Sequence, residues 1–134
     1  MDVKLQTILV GVDGSTHSES AVDFAAGLCQ RTDASLVILY VRDPRTTEQE
    51  VAENYGTRTL FSASERAKRT GARRIDTVME AGDPAKCIGD MATARGADLI
   101  VLGRRGLGTL TELLLGSVSH KVVQISKCPV AIVP

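Results

Sequence analysis

The chain has 134 residues, 43% of them hydrophobic and 24% charged, which excludes wholesale disorder and leaves room for one sizeable core. Lys plus Arg and Asp plus Glu both number 16, aromatics are 3% and Trp is absent, so neither phosphate-driven DNA binding nor a base-stacking platform for single strands is expected. The polar start runs straight into a strand-like segment and no stretch of about 20 apolar residues follows, so no membrane insertion and a cytoplasmic location are expected.

The first apolar run, residues 8–10, predicts a strand. Residues 18–30 then carry Ala21, Val22, Ala25, Leu28 and Cys29 at helical spacing, one face of a first helix. Residues 36–41 form a second, longer apolar run. Residues 48–70 are rich in Glu, Ala, Arg and Lys and predict a helix with Val51, Tyr55 and Ala63 on its inner stripe. Residues 75–79 alternate and suit an edge strand. Asp83 and Pro84 are an N-cap followed by a first-turn proline, opening a helix that runs to Arg95. A fourth run at 99–102, a helix at 117–126 with Val118, Val122 and Ile125 inward, and a last run at 130–133 complete the chain.

Short runs that are apolar throughout, instead of alternating, belong to strands buried on both faces. Alternation with helices predicts one α/β domain over residues 1–134: an open five-stranded parallel sheet with helices on both faces. The order 3-2-1-4-5 puts the strongest apolar runs at the centre. The winding then reverses between the first and fourth strands, and ligands of such sheets bind outside the carboxyl ends at that reversal.

Glycine-rich turns stand at both places: residues 11–15 (Gly-Val-Asp-Gly-Ser) after the first strand, and 103–108 (Gly-Arg-Arg-Gly-Leu-Gly) after the fourth. Gly103 and Gly106 let backbone N–H groups approach an anion without a Cβ in the way. Gly116 and Ser117 open the last helix, whose free N–H groups and dipole favour phosphate, and Ser117 is placed to cap that helix or donate to a phosphate. Arg104 and Arg105 lie in the loop as cations. Asp13 is equally suited to ribose hydroxyls or a phosphate-bound metal and to shaping its own turn. Two backbone cradles facing one crevice suit a chain of phosphates.

Other chemistries are less well supported. No Gly-Lys dipeptide exists, which removes the P-loop, and the glycines at 106 and 108 lack the third member of a dinucleotide fingerprint. There is no G-x-S-x-G elbow, and His17 and His120 are read as solvated helix residues. Cys29, Cys87 and Cys128 have no zinc-ligand spacing and are read as structural thiols.

The spacing Gly103-x2-Gly106-x9-Gly116-Ser117, the stretch 113–123 and the opening turn 10–15 together resemble the universal stress protein family, over essentially the whole chain. The resemblance implies a Rossmann-like, adenine-nucleotide α-hydrolase-like fold and an ATP-binding regulatory function, with Mg or Mn on the phosphates. It further implies that Val12 and Val41 approach the adenine and that Asp13 contacts ribose or metal. Gly103, Arg104 and Gly106 would wrap the phosphates from one side, and Gly116, Ser117 and Val118 from the other. It implies a homodimer through the C-terminal strand, with higher oligomers and an unidentified protein partner left open. Turnover is expected to be absent or slow, by ATP hydrolysis or autophosphorylation at Ser117, Ser119 or Thr109. Two other readings remain: a nucleotidyl-transfer or pyrophosphatase enzyme, and an interaction module for AMP or cyclic AMP.

Overall fold

The computed structural model describes residues 4–45, 48–105 and 115–134. Nine elements alternate along it: β1 (Thr7–Val12), α1 (Thr16–Thr32), β2 (Ser35–Arg42), α2 (Gln49–Thr70), β3 (Ile75–Ala81), α3 (Pro84–Arg95), β4 (Leu99–Gly103), α4 (Ser117–Ile125) and β5 (Val130–Val133). The strands form one sheet in the order β3-β2-β1-β4-β5, and every neighbouring pair is parallel. This is the predicted order, and the alternating run at 75–79 is indeed an edge.

The continuous apolar runs divide by parity between two cores. Ile8, Val10, Val12, Leu36, Ile38, Tyr40 and Val101 face α1 and α2 through Ala21, Val22, Ala25, Leu60, Ala63 and Ala67. Leu9, Val37, Leu39, Ile100 and Leu102 face α3 and α4 through Ala85, Ile88, Ala92 and Val122. Residues 8–10, 36–40 and 100–102 are therefore buried whichever way they point, and that fixes both the register and the two helical layers.

Local chemistry starts and stops the helices. The Ser15 side chain caps α1 by accepting from the Ser18 N–H, and Asp83 caps α3 by accepting from Lys86, with Pro84 in the first turn. Gly71 and Gly96 close α2 and α3 in the left-handed region, and Asp33 closes α1 likewise.

Two inner stripes differ from expectation. Val51 is 58% exposed. A helix of 22 residues spans about 33 Å at about 1.5 Å per residue, longer than the strands it covers, so its first turn overruns the sheet. In α4, Val122 is fully buried but Val118 and Ile125 are 37% and 42% exposed, and Ser119 shares the buried face. Ile125 instead reaches sideways to α3, within 3.5 Å of where a Cβ on Gly89 would stand.

Of the three thiols, only Cys29 is fully buried, and Cys87 and Cys128 are half-buried. Burial pushes the Cys29 thiol up to about 11, against an opposing pull from Arg74. The stability it contributes is complete below pH 9.0 and declines as pH rises toward about 11, because the unfolded thiol ionises first. At pH 8, iodoacetamide should therefore modify Cys29 only after denaturation, as read by peptide mass mapping. Labelling of Cys29 in the native protein at the rate of a free thiol would contradict this.

Candidate functional site

The carboxyl ends of β1 and β4 lie side by side, and a cleft of about 300 Å³ opens above them. Its floor and apolar wall are Gly11, Val12, Leu39, Val41, Ile88 and Leu102. Its polar side carries Asp13, Ser18, Arg105, Ser117 and Ser119, with the side-chain-free Gly103 and Gly116 between them. Pro84 and Val118 complete the described lining. A concave, mostly apolar pocket with a few converging polar groups is the usual form of a small-molecule site.

The β1 side is held by a compact turn. Asp13 Oδ1 accepts the Ser15 N–H at 2.9 Å, which folds the chain back into α1 in an Asx turn. The Ser18 hydroxyl donates to the Ser15 carbonyl at 3.1 Å. From α2, the Tyr55 hydroxyl donates to the Asp13 carbonyl at 2.7 Å. Gly14 sits between them at φ +85°, where a Cβ would stand 2.1 Å from the Tyr55 hydroxyl. Tyr55 in turn packs on Tyr40, ring centroids 6.0 Å apart. Burial first, then the neighbouring Tyr55 and the Asp13 carboxylate, raise the Tyr40 phenol above its ordinary range and keep it neutral.

The β4 side is held by backbone. The Arg104 N–H donates to the Val133 carbonyl at 2.8 Å, and the Arg104 carbonyl accepts from the Gly116 N–H at 2.9 Å. These bonds tie the end of β4 to β5 and to the start of α4 at the cleft. The Ser119 hydroxyl donates to the Gly103 carbonyl at 2.8 Å, fastening the helix to the strand end. Gly116 is the N-cap, with no side-chain cap bond. The first-turn N–H groups of Ser117, Val118 and Ser119 consequently have no intrahelical acceptor and carry the positive end of the helix dipole.

Val12, Asp13, Val41, Gly103, Gly116, Ser117 and Val118 thus converge on one cleft. Three expectations change. Ser117 does not cap α4; Gly116 occupies that position, because the chain turns into the helix one residue earlier. Arg104 is not in the cleft lining, Arg105 is, and Arg104 serves through its backbone. His17 is half-buried, not a solvated residue, and its Nε2 lies 3.3 Å from Arg105 Nη2. Gly106 and Thr109 lie outside the described residues. Sequence reasoning missed Ser18, Pro84 and Ile88. The cap spacing Ser15-x-x-Ser18 signalled the first, and the Asp83-Pro84 helix start just past the end of β3 signalled the other two.

Among the described residues no group of three or more His, Cys, Asp or Glu is placed to hold a metal, and Asp13 is the carboxylate that lines the cleft. From the described lining a divalent ion would therefore draw the Asp13 carboxylate, with ligand oxygens and water supplementing its shell. Among the described residues no helix is long and apolar enough to cross a membrane.

The sequence model of the universal stress protein family matches residues 4–134. The universal stress protein YxiE of Bacillus subtilis is 38% identical over 144 aligned positions, covering 94% of this chain and 97% of the relative. Among solved structures, a universal stress protein in complex with cAMP is 35% identical, with a TM-score of 0.81 and 97% of both chains covered. The universal stress protein UspA from Lactobacillus plantarum is 27% identical, with a TM-score of 0.87, covering 99% of this chain and 100% of that one.

Proposed function

The chain belongs to the universal stress protein family, and we propose that within it this protein is a regulatory binder of adenine nucleotides, with ATP as the ligand. The observation that carries this reading is the composition of the cleft at the winding reversal. An apolar wall of Val12, Leu39, Val41 and Leu102 faces a cationic, uncapped end made by Arg105 and the start of α4. An aromatic base favours the first and phosphate oxygens favour the second. The similar protein in complex with cAMP supports an adenine nucleotide as the class of ligand.

In this reading the base lies on Val12 and Val41, and Asp13 meets the ribose or a phosphate-bound Mg or Mn. Ser117, Val118 and Ser119 offer N–H groups to the phosphates. Gly103 and Gly116 keep that approach open. Gly106, from the glycine spacing of the sequence, completes the cradle, and Arg104 acts by holding Gly116 in place through its carbonyl. The single-domain chain pairs with a second copy through β5, an edge strand with all four residues half-buried. The signal is conformational: nucleotide stabilises one conformation or oligomer and a partner reads the result. The cAMP-bound relative also favours a second reading, a module that senses AMP or cAMP.

The test is to denature purified protein, identify released nucleotide by chromatography, and titrate nucleotide-free protein with ATP, AMP and cAMP, with and without Mg. Saturable binding tightest for ATP supports the first reading. Tighter binding of AMP or cAMP selects the second, and no binding of any of them up to roughly millimolar, about −4 kcal/mol, rejects both.

A further inference from the structure

We propose that His17 is a positioning residue for Arg105: its neutral imidazole accepts a guanidinium hydrogen bond and so aims the cation at the anionic part of the ligand. The inference rests on the nucleotide reading of the cleft and adds to it a residue that does not itself line the cleft.

Four observations carry it. His17 sits in the first turn of α1, directly against the end of β4: a Cβ on Gly103 would stand 2.7 Å from the His17 carbonyl carbon and oxygen. Arg105 follows Gly103 by two residues and lines the cleft. Arg105 Nη2 approaches His17 Nε2 at 3.3 Å. A guanidinium can only donate, so Nε2 must hold the lone pair and Nδ1 must carry the ring hydrogen. Finally, that Nδ1 is buried and finds no hydrogen-bond partner among the described residues. A leucine of similar size would avoid the unsatisfied donor, so packing alone does not account for an imidazole here. What the ring supplies that leucine cannot is an acceptor for Arg105. The guanidinium has a long, flexible stem, and restricting its directions before the ligand arrives lowers the ordering cost of binding.

The experiment is a double-mutant cycle on nucleotide affinity, with His17→Leu, Arg105→Ala and the double variant titrated calorimetrically with ATP and AMP. His17→Gln serves as the conservative variant, because its amide oxygen can accept. Thermal unfolding of each variant reports folding separately. The expected result is a loss of roughly fivefold to tenfold for His17→Leu, a larger loss for Arg105→Ala, and little additional loss in the double variant. His17→Gln should recover most of the affinity. Additive losses, or an affinity unchanged in His17→Leu while Arg105→Ala weakens binding, would overturn the role of His17 and leave the nucleotide site standing. Failure of the wild type to bind either nucleotide would instead remove the site reading, and this inference with it.

Discussion

Gly103→Ala is expected to lower stability by about 3 kcal/mol, the upper part of the usual range for overpacking a close contact. The reason is what the added methyl meets. Its Cβ would stand 2.7 Å from both the carbonyl carbon and the carbonyl oxygen of His17, and backbone at the start of a capped helix cannot rotate away as a side-chain tip can. Either β4 slides outward or α1 tilts, and both movements separate Arg105 and Ser119 from the β1 turn. Adenine-nucleotide affinity should therefore fall by at least about tenfold in whatever fraction remains folded, since about 1.4 kcal/mol of lost contact suffices for that. Urea unfolding midpoints and calorimetric titration read the two effects. A midpoint within error of wild type would show that the contact between β4 and α1 is looser than described.

Gly14→Ala should cost a comparable amount by another route. At φ +85° an L-residue pays about 1–2 kcal/mol for the left-handed backbone. The new methyl would also stand 2.1 Å from the Tyr55 hydroxyl, so Tyr55 must retreat and the bond to the Asp13 carbonyl, worth about 1 kcal/mol, is lost. The two residues are therefore coupled. Tyr55→Phe alone should destabilise by about 1 kcal/mol, and the double variant should lose less than the sum of the single changes because the hydroxyl that collides is gone. Additive losses would mean that the methyl is accommodated without displacing Tyr55.

How much of this was legible in the sequence depends on where each residue's role resides. The runs at 8–10, 36–41 and 99–102 are apolar at every position, and that alone predicted a doubly covered parallel sheet whose two cores the parity of Ile8 and Leu9 now separates. The order of strands followed from burial, and the cleft followed from the order. Asp13 was placed at the crevice with turn-shaping and ligand contact equally weighed, and the structure shows the turn-shaping, with one oxygen spent on the Ser15 N–H. Roles that depend on direction were not legible. Arg104 and Arg105 are adjacent and chemically identical, and only the backbone bonds from Arg104 to Val133 and Gly116 turn the second one toward the cleft. Val118 and Val51 sit at correct helical spacing, yet one faces the cleft and the other overruns the sheet. His17 was read as surface because nothing local to residues 13–20 announces that β4 ends against it.

The central claim, that an adenine nucleotide occupies the cleft between the ends of β1 and β4, is tested most directly by following backbone amide resonances of labelled protein during an ATP titration. The account predicts saturable shifts concentrated at Val12 to Ser15, Val41, Gly103 to Arg105 and Ser117 to Ser119. Saturable shifts gathered instead along the groove between α1 and α2, at Glu19, Thr59 and Arg66, would contradict it, as would spectra that do not change.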